Sequence, residues 1–202
     1  MASEVQICNR ALQRLGAKAI VSLTEASKNG RQCNLAYNPV REALLSDHLW
    51  AFATGRAQLA ADATPPEFGR ANAFELPADF LRIADDYPED NFNSIDYVVE
   101  GRKILTDFDA PLEIRYVKNI TDANLMDSLF REALSMSLAN ELVEVITQSN
   151  TKKVGIERDL KKILAKARRR NAIQTVSAEP PIDTWETARE VEGNRHFSIT
   201  GV

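Results

Sequence analysis

Two adjoining helical patterns over residues 122–171 constrain this chain more than any other feature. Starting at Thr121 or Asp122, the residues Met126, Leu129, Phe130, Ala133, Leu134, Leu138, Leu142, Val145 and Ile146 fall at helical spacing and draw an apolar stripe about 100° wide. This predicts a core helix over 122–149. A second pattern over 151–171 places Val154, Ile156, Leu160, Ile163, Leu164 and Ala167 on one face. The polar break at Ser149-Asn150 turns the two into an antiparallel pair. Two helices cannot cover both stripes by themselves, so the fold needs further apolar partners.

The first 53 residues supply them. Val5, Cys8, Leu12 and Leu15 predict a helix over 3–16, with Ser3 as N-cap, Gln6 at the capping-box position and Gly16 as the stop. A longer helix is expected over 25–53, with Cys33, Tyr37, Val40, Leu44, Leu45, Leu49 and Phe52 on one face. Pro39 should kink or split it, because proline lacks the N–H that a helix interior requires.

Between the helix pairs the period changes to that of strands. Short β-branched and aromatic runs predict strands at Arg56–Ala60, Asn72–Leu76, Leu81–Asp85, Ile95–Glu100, Lys103–Thr106 and Leu112–Val117, with a tight hairpin turn at Gly101-Arg102. The fold class is therefore α+β: a mainly helical bundle of four helices, the second kinked, with a small antiparallel β-sheet inserted at about 56–118. Past Ala172 the periodicity stops. Residues 173–202 read as an extended C-terminal tail, in which Ile182, Trp185, Phe197 and Ile199 are apolar anchors suited to docking on a partner.

Charge is unevenly distributed. The net charge is −4, yet nine basic residues against Glu157 and Asp159 give Lys152–Arg170 a charge of +7 and leave −11 elsewhere. No run approaches the roughly 20 apolar residues that span a bilayer, and no export signal opens the sequence, so an unexported protein without membrane contact is expected. Cys8 and Cys33 lie in apolar helical patterns and read as buried free thiols.

The catalytic inventory is thin. His48 and His196 belong to no zinc pattern, the cysteines form no C-x-x-C pair, and nucleotide-binding and hydrolase signatures are missing. A Cys33/His48 nucleophile pair on one helix would stand about 20 Å apart, too far for proton transfer. The acidic run Asp85, Asp86, Glu89 and Asp90 lacks the EF-hand arrangement and reads as a solvated loop. No catalytic residue, metal or cofactor is expected. Lys161, Lys162, Lys166, Arg168, Arg169 and Arg170 are expected to contact a neighbouring subunit or other partner. A DNA-binding packaging or head-completion role for the basic helix is the alternative, although aromatic residues for base stacking are missing from it.

Several segments carry a resemblance: Ile7-Cys8-Asn9-Arg10-Ala11-Leu12-Gln13-Arg14-Leu15-Gly16, Leu44-Leu45-Ser46-Asp47-His48-Leu49-Trp50-Ala51-Phe52-Ala53 and Phe74-Glu75-Leu76-Pro77-Ala78-Asp79-Phe80-Leu81-Arg82. Tyr97-Val98-Val99-Glu100-Gly101-Arg102-Lys103-Ile104-Leu105-Thr106 and Ile114-Arg115-Tyr116-Val117 complete the set. In this order they resemble the tail tubular protein A family, the head-to-tail adaptors of short-tailed bacteriophages and related prophages. The resemblance implies a virion structural protein over residues 1–172, assembled in the host cytoplasm as a homo-oligomeric ring of about twelve copies. It implies a portal protein above, a tail nozzle protein below, and DNA passing through the channel without sequence-specific binding. The tail, with Ile182, Trp185, Phe197 and Ile199, would bind the portal.

Overall fold

The computed structural model describes residues 2–84 and 95–174. Helix α1 (Glu4–Leu15) starts where expected. The Ser3 hydroxyl accepts from the Gln6 N–H, and Gly16 closes the helix in the left-handed region at φ 71°. The Gly16 and Ala17 amides donate back to the carbonyls of Gln13 and Leu12, which is the Schellman arrangement that glycine at this position permits.

Helix α2 (Lys28–Ser46) runs through Pro39 without interruption and stops seven residues short of the predicted end. Pro39 does not split it, because Pro39 and Leu35, whose carbonyl loses its partner, both lie on the exposed side of the helix. The early end has a tertiary cause. Of the last helical carbonyls, Leu44 accepts from the Trp50 indole at 2.9 Å and Ser46 accepts from Arg82 at 2.8 Å. Chain folding back on itself thus buries Leu49 and Trp50 outside any helix, followed by a 3₁₀ turn at Ala51–Ala53.

Instead of one sheet there are two, each of three antiparallel strands. The strands are β1 (Thr54–Leu59), β2 (Asn72–Glu75), β3 (Phe80–Ile83), β4 (Tyr97–Glu100), β5 (Lys103–Thr106) and β6 (Leu112–Lys118). The first sheet has the order β1-β6-β3 and the second β2-β5-β4. The predicted hairpin is present: Glu100 pairs with Lys103 across Gly101-Arg102, and Gly101 takes φ 59°, as a two-residue turn of this hand demands. Leu59, Ile83, Leu112, Ile114 and Tyr116 of the first sheet meet Phe74, Leu76 and Ile104 from the second sheet and its flank in a small core of their own. The opposite face of the first sheet turns Val117 toward the helices.

Helix α3 (Ser128–Thr147) starts later than the predicted 122, with the Asp127 side chain accepting from the Leu129 N–H. Met126 is buried in the preceding loop, which is why it imitated the start of a helical stripe. Nor is α3 one-sided. Phe130, Ala133, Leu134, Ser135, Met136, Leu138, Ala139, Leu142 and Val143 are all buried, since α1, α2 and α4 surround the helix. Val145, placed on the predicted stripe, is exposed.

Helix α4 (Asn150–Gln174) is longer at both ends than the predicted 151–171. Its inner face is Ile156, Leu160, Ile163, Leu164, Ala167 and Asn171; Val154, assigned to that face from sequence, is 67% exposed. A polar lock ties α2 to the chain leaving β6. The buried Arg41 guanidinium donates to Asn38 at 2.6 Å and to Asn119 at 3.1 Å, while Asn119 donates to Glu42 at 3.0 Å.

Candidate interaction surfaces

The basic helix is held firmly enough to present its outer face in one orientation. Near its start, Lys152 donates to the Leu15 carbonyl at 3.2 Å, and Lys153 pairs with Glu144 at 2.5 Å. Near its end, Asn171 accepts from the Ala51 N–H at 2.8 Å and donates to the Leu49 carbonyl at 2.6 Å, with His48 Nε2 at 3.2 Å from the same amide nitrogen. Arg168 reaches Asp47. Asn171 had no place in the sequence reading, because a buried amide that ties two distant segments leaves no periodic trace.

Of the six predicted contact residues, Arg168 is therefore engaged within the chain. Lys161, Lys162, Lys166, Arg169 and Arg170 are exposed. Lys162 stands 3.9 Å from Asp159, which Arg158 approaches at 3.4 Å; the other four have no ion-pair partner among the described residues. Lys162, Lys166, Arg169 and Ile173 follow one another at i, i+4, i+7 and i+11, so they form one line along the helix. Ile173 is 72% exposed within that line.

A second surface lies on the second sheet. Pro65, Pro66, Phe68, Val98 and Leu105 line an open groove beside β4. Phe68 is 85% exposed, and Val98, Val99 and Phe108 are exposed as well. Residues 61–76 and 95–111 carry seven carboxylates against three basic residues. Arg70 engages Asp96 at 2.5 Å and Asp107 at 2.9 Å, and Lys103 engages Asp62 at 2.6 Å. Backbone donation from Ala71, followed by the Arg70 contact, holds the Asp107 carboxyl below the usual range. Glu67, Glu75, Glu100 and Asp109 have no ion-pair partner among the described residues. The signal in the sequence was Phe68 and Phe108 set among proline, glycine and aspartate, where packing in a core is rare.

Cys33 is buried against Cys8 between α1 and α2, whereas His48 lies beyond the end of α2 with its ring 4.9 Å from Trp50, so the two form no nucleophile pair. A hydrogen bond to the Cys33 sulfur, and then burial, push the Cys8 thiol above its ordinary range. Burial also pushes the neighbouring Tyr37 up to about 12. Both thiols are fully buried, so thiol-specific labelling in native buffer is expected to proceed only as fast as the protein opens. Stoichiometric labelling within seconds would contradict that placement. Among the described residues no group of three His, Cys, Asp or Glu side chains could hold a metal ion, and no helix is long and apolar enough to cross a membrane.

The acidic run Asp85, Asp86, Glu89 and Asp90, and the tail anchors Ile182, Trp185, Phe197 and Ile199, lie outside the described residues. Two kinds of surface stand out on this α+β fold: a basic helix face and an acidic sheet with exposed aromatic residues. Comparison with known protein families and with curated proteins finds no match to the chain.

Proposed function

We propose that the chain is a non-catalytic subunit of the adaptor ring that joins the portal of a short-tailed bacteriophage to its tail nozzle, with DNA passing through the shared channel. The observation that carries this reading is where the resembling segments fall. In chain order they form α1 with its glycine stop, the fold-back after α2, the passage from β2 into β3, the β4–β5 hairpin and the buried stretch of β6. These are the joints that set the architecture, so a resemblance confined to them supports a shared arrangement. The exposed charged surfaces described above suit a protein whose work is contact.

In this reading the tail anchors Ile182, Trp185, Phe197 and Ile199 grip the portal, and several weak anchors repeated around a ring supply avidity that one copy lacks. The protein would assemble in the host cytoplasm and reside in the virion. The test is mass photometry of the full chain, alone and mixed with a cognate portal. Portal addition should yield a complex with about twelve bound copies, and a chain ending at Gln174 should dock at least about tenfold more weakly. A full chain that stays apart from the portal would overturn the assignment; undiminished docking of the shortened chain would remove the tail from it.

The exposed cations of α4 favour a second reading, a DNA-binding packaging or head-completion protein. Saturable gel-shift binding at physiological salt, with no portal docking, would select it.

A further inference from the structure

We infer that the subunit-to-subunit contact of the ring is a heterologous pairing in which the basic face of α4 docks on the acidic surface of the second sheet of the next copy. The inference rests on the ring reading and names the surfaces that reading leaves open.

The charge arrangement carries it first. Lys161, Lys166, Arg169 and Arg170 lack ion-pair partners among the described residues, as do Glu67, Glu75, Glu100 and Asp109. Within one copy the two sets belong to different parts of the chain: α4 packs on α3, whereas the second sheet packs on the first. Among the described residues, one molecule therefore leaves both sets without ion-pair partners. A second copy offers each its complement, and since the two surfaces differ, the pairing runs head to tail and can close into a ring.

Apolar groups sit where such an interface needs them. Ile173 lies on the line of Lys162, Lys166 and Arg169, and Val154 is exposed near the start of the helix. Opposite, Glu67 and Glu100 line one groove with exposed Phe68 and Val98. Apolar anchors within a charged rim are the usual anatomy of a protein–protein contact. A nucleic acid fits less well. The basic face has no aromatic side chain to stack on bases, and a net charge of −4 gives no overall attraction to a polyanion.

The test uses two charge-reversed full chains. One carries Lys162→Glu, Lys166→Glu and Arg169→Glu; the other carries Glu67→Lys, Glu100→Lys and Asp109→Lys. All these positions are exposed, and circular dichroism with thermal unfolding confirms that each variant folds as the native chain does. Self-association is followed by sedimentation velocity at high protein concentration across an ionic-strength series. The native chain should associate more strongly as salt falls. Each variant alone should associate on the order of tenfold more weakly, because like charges then face each other. An equimolar mixture should recover native association, since every α4 face again meets a sheet of opposite charge.

A native chain that remains monomeric at the lowest salt would overturn the inference. So would variants that associate as the native chain does, or a mixture that recovers nothing. If reversal on α4 abolishes duplex binding and leaves self-association intact, the face is a nucleic-acid surface and the inference also fails. Portal docking of the native chain is measured separately. Its absence would remove the adaptor reading, whereas docking that the reversed variants share undiminished would remove only the subunit contact.

Discussion

Replacing Trp50 by alanine is expected to lower the unfolding free energy by about 3–5 kcal/mol, the range for a large buried aromatic truncated in a packed core. The side chain is 1% exposed and among the largest fully buried groups. Its ring meets Phe130 edge-on at 5.0 Å and lies 6.2 Å from Phe52. Shrinking it opens space between α2, α3 and the fold-back segment, and these backbone elements cannot close it without shifting. The indole N–H also satisfies the Leu44 carbonyl at the end of α2, so truncation strands an acceptor as well. Urea unfolding followed by circular dichroism measures the change. Trp50→Phe, which keeps most of the ring and loses the donor, should cost about 1–3 kcal/mol. A loss below about 1 kcal/mol for the alanine variant would show that the site collapses freely and does not organise the core.

Asn171→Ala should destabilise the protein by about 2–4 kcal/mol, chiefly by leaving polar groups without partners. At 6% exposure the amide serves the Ala51 N–H through its oxygen and the Leu49 carbonyl through its nitrogen. Both backbone groups belong to the fold-back segment, and these bonds tie that segment to α4. Denaturation gives the global loss. Hydrogen exchange at Ala51 gives the local one: its amide should lose protection to a greater extent than amides in the middle of α3. Equal loss at both places would mean that Asn171 supports the fold generally and does not pin this segment. Asn171→Asp separates the two roles, because aspartate can still accept from Ala51 but cannot donate to Leu49.

These two residues also mark the limit of what the sequence made legible. Hydrophobic periodicity located all four helices and every described strand, though the end of α2 was misplaced by seven residues and the start of α3 by six, and the Gly101-Arg102 turn was plain from local chemistry. Where it failed, it failed for one reason: periodicity reports burial, and buried residues also occur in turns and loops. Leu49 and Phe52 extended the apparent α2, and Met126 extended the apparent α3, for that reason. The division into two sheets was hidden because the strand runs look alike whichever sheet they join, and pairing is decided by contacts between β1, β3 and β6 that are distant in sequence. Asn171 and Arg41 were invisible, since a polar residue buried by tertiary bonds resembles a polar residue on the surface.

The candidate surfaces divide along the same line. The basic run was countable, and five of its six residues lie exposed on the helix; Arg168 departs because Asp47, far away in the chain, folds back within reach of it. The acidic sheet was not countable in that way. Its carboxylates come from several strands and loops, and only pairing gathers Glu67, Glu75, Glu100 and Asp109 onto one sheet and its flanking loops.

Strand β6 has a mechanical consequence. Leu112, Ile114 and Tyr116 anchor it in the sheet core, while Val117 on its other face belongs to the helical core. It is the central strand of the first sheet, bonded to β1 on one side and β3 on the other. Antiparallel hydrogen bonds lie across the strand direction. A pull that draws the second sheet away from the helices along β6 would therefore load both rows of bonds in shear, many at once, while a sideways pull would open them one after another like a zipper. The first sheet is therefore stiff along β6 and compliant across it.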